Sequence, residues 1–314
     1  MLVERRLASP ARLGVISGPA GSGKAVLLAQ CHAAEPFAAW LSHERADNDP
    51  EKLWWSLIAT LRTVVGDFGE TYRTRLLSAG VGALDDVVVS VGNELAERAI
   101  PIHLFLDDAH VVENVTCGRS LLKFVSELPG GARVTVASRA SAPLPLARLR
   151  ADGDLVEIGG RDLALSTSEA HRLLTSLDVS LDEAHLDLLV ARSEGWPAGL
   201  QLAGLALSRA DDVGLFVEDF RGTDRDVADY LLSEVLGSVS EEERDFMIET
   251  SILSRLNGDL CDAVTGRPRS AERLGRLERS NAFVIPLDRD DRWYRYHHLF
   301  AELLAAELHR RRPD

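Results

Sequence analysis

Seven residues, Gly18-Pro19-Ala20-Gly21-Ser22-Gly23-Lys24, constrain this chain more than any other stretch. They have the G-x-x-x-x-G-K spacing of a phosphate-binding loop. They also follow an apolar run and precede a helical pattern, the strand–loop–helix context such a loop requires. The glycines let backbone N–H groups turn inward around phosphate oxygens, and the helix beginning near Lys24 adds its positive N-terminal end. The Lys24 ammonium is expected to reach the β- and γ-phosphates. One position departs from the pattern. The residue after the lysine is ordinarily Ser or Thr, whose hydroxyl ligates Mg²⁺; here it is Ala25, followed by Val26. A methyl group cannot ligate a metal. The cradle, being largely backbone, is expected to survive, while Mg²⁺-assisted hydrolysis is expected to be weak or absent. The plain alternative is a Gly-rich turn carrying a solvated lysine, and the flanking strand and helix weigh against it.

The first half continues in the same rhythm. Candidate strands fall at 12–18, 37–42, 102–108, 133–139 and 155–159, with helices near 24–34, 50–65, 83–98 and 120–128. Alternation of this kind predicts an α/β domain with a parallel sheet, and near-continuous hydrophobicity suits strands buried on both faces. The run Ile102-His103-Leu104-Phe105-Leu106-Asp107-Asp108 ends in two carboxylates. Asp107 would hold Mg²⁺ directly or through water, and Asp108 would orient or deprotonate an attacking water. Acidic residues also begin ordinary turns; the P-loop upstream gives the catalytic reading its weight. His110 is more often a satisfied surface histidine in such a loop than a member of the cluster. A further strand, Arg133-Val134-Thr135-Val136-Ala137-Ser138-Arg139, ends in Ser-Arg. In P-loop ATPases with a strand inserted between the P-loop strand and the acidic strand, a polar residue at this end senses the γ-phosphate. Arg139 is the candidate, because its planar fork suits phosphate oxygens. A surface arginine is the alternative.

After Gly160 the strand signals stop. Stretches 166–174, 181–193, 197–207 and 224–236 read as helices, with Ser166 and Glu169 spaced as a capping box. Three further helical patterns (240–250, 257–264, 271–280) precede two short strand-like runs, 282–287 and 293–296, and a last helix from His298. Three helices and a hairpin suggest a winged helix. The pattern changes divide the chain into 1–162, 163–222 and 223–314. Its 314 residues are 46% hydrophobic and 27% charged, a globular balance. No apolar run approaches the roughly 20 residues of a membrane span, and the charged stretch Met1 to Pro10 lacks a secretory signal's apolar segment. Cys31, Cys117 and Cys261 are odd in number and far apart, which argues against a disulfide framework or zinc site and for the cytoplasm. With 35 Lys+Arg against 49 Asp+Glu the net charge is −14, which argues against a broad DNA-binding face. Residues 241–314 carry 13 basic against 15 acidic side chains, so the winged helix is not a basic patch.

Taken in order, these residues resemble the ATPase module of the MalT-like, LuxR-type large transcriptional regulators, a branch of the STAND signalling NTPases. The resemblance extends over nearly the whole chain. Its pieces include Trp40-Leu41-Ser42 with Asp47-Asn48-Asp49-Pro50, then Phe105-Leu106-Asp107-Asp108-Ala109-His110, Ser138-Arg139 and Leu163-Ala164-Leu165-Ser166. The two most telling are Glu194-Gly195-Trp196-Pro197-Ala198-Gly199-Leu200-Gln201-Leu202 and Tyr294-Arg295-Tyr296-His297-His298-Leu299-Phe300. The resemblance implies a P-loop domain, a small helical domain and a winged helix binding ATP or ADP with Mg²⁺. It implies that Pro197 packs against adenine and that His297 contacts the β-phosphate of ADP. As ordinary alternatives, Pro197 is a first-turn helix proline and His297 a capping residue. It also implies a two-state switch that self-associates when activated. DNA would be bound only through a helix-turn-helix domain, which is expected to lie outside these residues. Other readings are an active P-loop ATPase or kinase, weakened by Ala25, a nucleotide-free scaffold, and a winged-helix DNA binder.

Overall fold

The computed structural model describes residues 7, 9–69, 72, 84–140, 146–210 and 212–312; Ala83, where the third helix is expected to start, lies outside them. By its contacts the chain divides into two units. One comprises Met1–Gly18 and Gly23–Asp162, the other Pro19–Ser22 and Leu163–Asp314.

The first unit is built on five parallel strands: β1 (Leu13–Ser17), β2 (Ala38–Ser42), β3 (His103–Asp107), β4 (Arg133–Ser138) and β5 (Leu155–Ile158). Their order across the sheet is β2-β3-β4-β1-β5. The inserted strand expected between the P-loop strand and the acidic strand is therefore β4. Register sets Ser17 beside Ser138 and Ser42 beside Asp107, so the chemistry-bearing ends of β1, β3 and β4 share the carboxyl edge of the sheet. Ligands of open parallel sheets bind at that edge. Every residue of β3 is buried, as continuous hydrophobicity requires.

Four helices supply the cover: α1 (Lys24–Ala34), α2 (Pro50–Arg62), α3 (Leu84–Arg98) and α4 (Val115–Glu127). A short helix, α5 (Ala147–Asp152), precedes β5. Asp49 caps α2, accepting from the N–H groups of Glu51 and Lys52, with Pro50 in the first turn. Helix α4 begins five residues before its expected start. Val115, Thr116 and Gly118 are poor helix formers, but Asn114 accepts the Thr116 N–H at 2.9 Å and Cys117 is fully buried. Local propensity is overridden there by a cap and by packing. The core of this unit centres on Trp54, whose indole N–H donates to Ser120 Oγ at 2.9 Å and whose ring meets Phe124 edge-on.

The second unit is helical. In order come α6 (Thr167–Thr175), α7 (Glu183–Ser193), α8 (Pro197–Leu207), α9 (Val213–Asp219) and α10 (Arg225–Leu231), which runs into a π turn at Leu232–Leu236. Helix α9 is absent from the sequence reading; it is one short segment held by Asp212, which accepts the Leu215 N–H. The expected capping box starts α6, with the Ser166 N–H donating to Glu169 at 3.0 Å. Then follow α11 (Glu241–Thr250), α12 (Gly258–Thr265), α13 (Ser270–Arg279), the antiparallel pair β6 (Val284–Pro286) and β7 (Tyr294–Tyr296), and α14 (His298–Arg311). Three helices, a hairpin and a closing helix are the winged helix the sequence suggests. A continuous core joins Trp196 and Leu200 to Phe246, Phe283 and Phe300.

Trp54 is the test of the first core. Trp54→Ala removes a fully buried indole and leaves a cavity, and is expected to cost about 3–5 kcal/mol in denaturant unfolding. A loss under about 1 kcal/mol would show that the α2–α4 packing matters little.

Candidate functional site

In the first unit the site grows from the edge where β1 runs out. Gly23, left-handed at φ 84°, caps α1, so Lys24 is that helix's first residue. Its ammonium donates to the Gly18 carbonyl at 2.8 Å. Burial lowers the Lys24 pKa to about 8, helped by the Arg139 guanidinium and opposed by Asp107 and Asp108. These four groups, from the start of α1 and from just beyond or at the ends of β3 and β4, therefore feel one another. Two cations held together in a partly buried place gain from an anion between them. Asp107 is 8% exposed, and burial raises its carboxyl above the usual range although its Oδ1 accepts the Asp108 N–H at 2.9 Å. Asp108 takes a left-handed φ of 53° to start the 3₁₀ turn Ala109–Val111; non-glycine residues adopt that conformation uncommonly. His110 Nδ1 stands 3.7 Å from Asp108 Oδ1, beyond hydrogen-bond reach, and burial depresses its pKa. Ala25 and Val26 are both exposed on the first turn of α1. Among the described residues no group of three or more His, Cys, Asp or Glu is arranged to hold a metal ion.

The tip of the loop, Pro19–Ser22, belongs to the second unit. The Trp196 indole N–H donates to the Ala20 carbonyl at 3.0 Å, and the Ala198 N–H to the Gly21 carbonyl at 3.0 Å. Gly21 has φ 70°, and a Cβ there would collide with Ala198 and lie 2.8 Å from the Tyr230 hydroxyl. Only glycine fits. Pro197 is the first residue of α8, fixed in φ where no N–H is needed.

His297 is 6% exposed. Its Nε2 donates to the Ser193 carbonyl at 3.0 Å, while its buried Nδ1 has no hydrogen-bond partner among the described residues. The ring stands edge-on to Trp196 at 6.0 Å and to Phe283 at 5.3 Å. Burial holds its pKa down at about 4, with the Glu194 carboxylate pulling the other way. Glu194 receives both Arg295 Nη groups, at 2.7 and 2.6 Å, and the His298 N–H at 2.8 Å. Burial alone would raise the Glu194 carboxyl, but Arg295 and its other partners bring it to about 2.

The structure thus gathers Lys24, Arg139, Asp107 and Asp108 in the first unit. In the second it gathers the loop tip, the start of α8 and the ring system that includes His297. The sequence reading gave no part to Trp196, Ala198, Glu194 or Arg295. Gly21 was the available signal, since a glycine within the loop is compatible with a close neighbour without naming it.

Comparison with known proteins adds a family. Residues 232–314 match the family model described as the MalT winged helix domain. The chain is 30% identical, over 98% of its length, to the HTH-type transcriptional regulator MalT of Cronobacter sakazakii, covering 35% of that protein. It is 31% identical to that of Serratia proteamaculans, over 95% of this chain and 34% of the relative. The chain therefore spans about a third of the length of the curated relatives it matches. A solved structure of the Thermotoga maritima RuvB Holliday junction branch migration motor aligns with 94% of this chain and 87% of its own. Its TM-score of 0.41 and 15% identity are too loose to argue from.

The buried histidine makes a pH prediction. His297 is neutral when folded, with a pKa of about 4, against an ordinary 6.5 when unfolded. The unfolded chain binds the extra proton, so stability is full above about pH 6.5 and falls as pH drops toward 4. The gap corresponds to about 3 kcal/mol. His297→Gln is expected to flatten the pH 4–6.5 limb of urea-melt stability; an unchanged slope would contradict the burial argument.

Proposed function

We propose that the chain is a nucleotide-binding switch module of the MalT-like kind, a reading supported by the winged-helix match and by 30% identity over the third of those regulators that it spans. The observation that carries the reading is the convergence of Lys24 and Arg139 on Asp107 and Asp108 at the carboxyl edge of the sheet. A lysine at the start of the helix after the P-loop strand and an arginine just beyond the neighbouring β4, with a glycine loop beside them, suit a polyphosphate.

In this reading the backbone of Gly18, Pro19, Ala20, Gly21, Ser22 and Gly23 cradles the phosphates, and Lys24 bridges them. Ala25 and Val26 line the start of the helix beyond. Arg139 answers to the γ-phosphate when the ligand is ATP. Pro197 packs on adenine, and His297 Nδ1, without a hydrogen-bond partner among the described residues, meets the β-phosphate once it takes up a proton, since the Nε2–H already goes to Ser193. The fit to a metal is thinner. Asp107 offers one carboxylate for Mg²⁺ and Asp108 a position for water, but Ala25 contributes no oxygen. Mg²⁺ would supply charge neutralisation between phosphate oxygens when bound, and Asp107 would hold it without help from a hydroxyl at position 25.

A ligand shifts a two-state equilibrium only by its differential affinity for the two states. The contacts of Pro197 and His297 are the ones proposed to differ between them, so exchange of ADP for ATP acts through those residues. We assign residues 163–222 to a helical domain and 223–314 to the winged helix. The activated state is taken to self-associate, in the cytoplasm, with DNA bound by a domain outside these residues. Among the described residues no helix is long and apolar enough to cross a membrane.

Titration with ADP tests the reading. The unmodified chain should bind ADP, and Lys24→Ala should weaken binding about 10–150-fold, the equivalent of about 1.5–3 kcal/mol for a hydrogen bond to a charged group. Absence of ADP binding by the unmodified chain would sink the proposal. ATP turnover should be slow and should rise in Ala25→Thr; fast turnover by the unmodified chain would overturn the assignment to Ala25.

A further inference from the structure

Two carbonyls of the phosphate loop are held by groups that its consensus does not contain. The Ala20 carbonyl accepts the Trp196 indole N–H at 3.0 Å in a buried place, and the Gly21 carbonyl accepts the Ala198 N–H at 3.0 Å. All of these residues lie in the second unit. A trans peptide is planar, with its C=O and N–H pointing to opposite sides. Fixing the Ala20 carbonyl toward Trp196 therefore aims the Gly21 N–H the other way, and no described residue takes that N–H. Glycine at φ 70° is the residue type most easily turned about its own backbone. Without an anchor on the Ala20 carbonyl, this peptide is the weakest part of the cradle.

We propose that Trp196 is a positioning residue that holds the Ala20–Gly21 peptide with its N–H presented to the phosphates of the nucleotide. The role rests on the nucleotide reading above and deepens it. The indole ring is well placed to keep that grip. It is 4% exposed and stands edge-on to Tyr230 at 5.6 Å and to Phe283 at 5.2 Å. Its ring also faces His297, so one side chain touches both the phosphate loop and the winged-helix histidine. A buried carbonyl deprived of its donor seeks another by rotating its peptide, and that rotation would carry the Gly21 N–H off target. The loss would fall on phosphate recognition and spare adenine recognition, a split that mere loss of packing does not produce.

The test compares ADP with adenosine, which has the base and sugar but no phosphate. Trp196→Phe keeps an aromatic ring in the cluster and deletes only the N–H. It is expected to bind ADP about 10-fold more weakly than the unmodified chain and adenosine equally well, with its melting temperature measured alongside. Equal ADP affinity in the two proteins would overturn the proposal, and so would an equal loss for ADP and adenosine. A variant that does not fold leaves a second measurement on the unmodified chain. The Trp196 indole ¹H–¹⁵N resonance should move on addition of ADP and stay in place with adenosine; a resonance unmoved at saturating ADP overturns the role. If the unmodified chain binds no ADP at all, the nucleotide reading itself has failed, an outcome separate from those above.

Discussion

The structure of the first unit turns on placing two cations, Lys24 and Arg139, close together at the edge of a parallel sheet. Burial and mutual repulsion both disfavour a charged Lys24, and its pKa falls to about 8 as a result. Asp107 and Asp108 offset this only in part. Such an arrangement is sustained by a rigid frame: β4 between β1 and β3 sets Arg139 beyond Ser138, next to the P-loop strand. A bound anion would repay the frame for holding that charge. The order of strands is therefore the physical basis of the site, because exchanging β4 for another neighbour would remove one of the two cations.

The second unit meets a different constraint, the accommodation of polar groups inside an aromatic core. Trp196, Tyr230, Phe283 and His297 pack edge to face, and each polar atom that enters the cluster needs a partner. Trp196 finds the Ala20 carbonyl and His297 Nε2 finds the Ser193 carbonyl, whereas His297 Nδ1 finds none among the described residues. Around this core Glu194, just before Gly195, accepts from Arg295 and from the first turn of α14, and with Arg295 forms a doubly hydrogen-bonded pair of the strong, oriented kind. The two segments that carry the family resemblance, one starting at Glu194 and one at Tyr294, are thus joined by direct bonds.

Much of the fold was legible because its signals are local. Continuous apolar runs marked the five strands, of which the central three are buried and the edge strands β2 and β5 only partly; Pro197 marked the start of α8, and the Ser166–Glu169 spacing marked α6. Helix α4 was read short because Val115, Thr116 and Gly118 speak against a helix that Asn114 and tertiary packing create. Helix α9 is too brief for periodicity to show. The loop, the acidic strand end and Arg139 were found because each sits at the end of a strand with its own composition. Trp196 was missed for the opposite reason: its partner Ala20 lies 176 positions away, and the Glu194–Arg295 pair is separated by 101. Period and composition carry no information over such distances.

Whether this chain holds a nucleotide as part of its folded state, as proposed, can be tested on protein taken directly from cells. Purified chain is denatured and the released small molecules are separated by chromatography. ADP or ATP is expected in near-stoichiometric amount. An empty site, with no binding when either nucleotide is then added to the native chain, would contradict it.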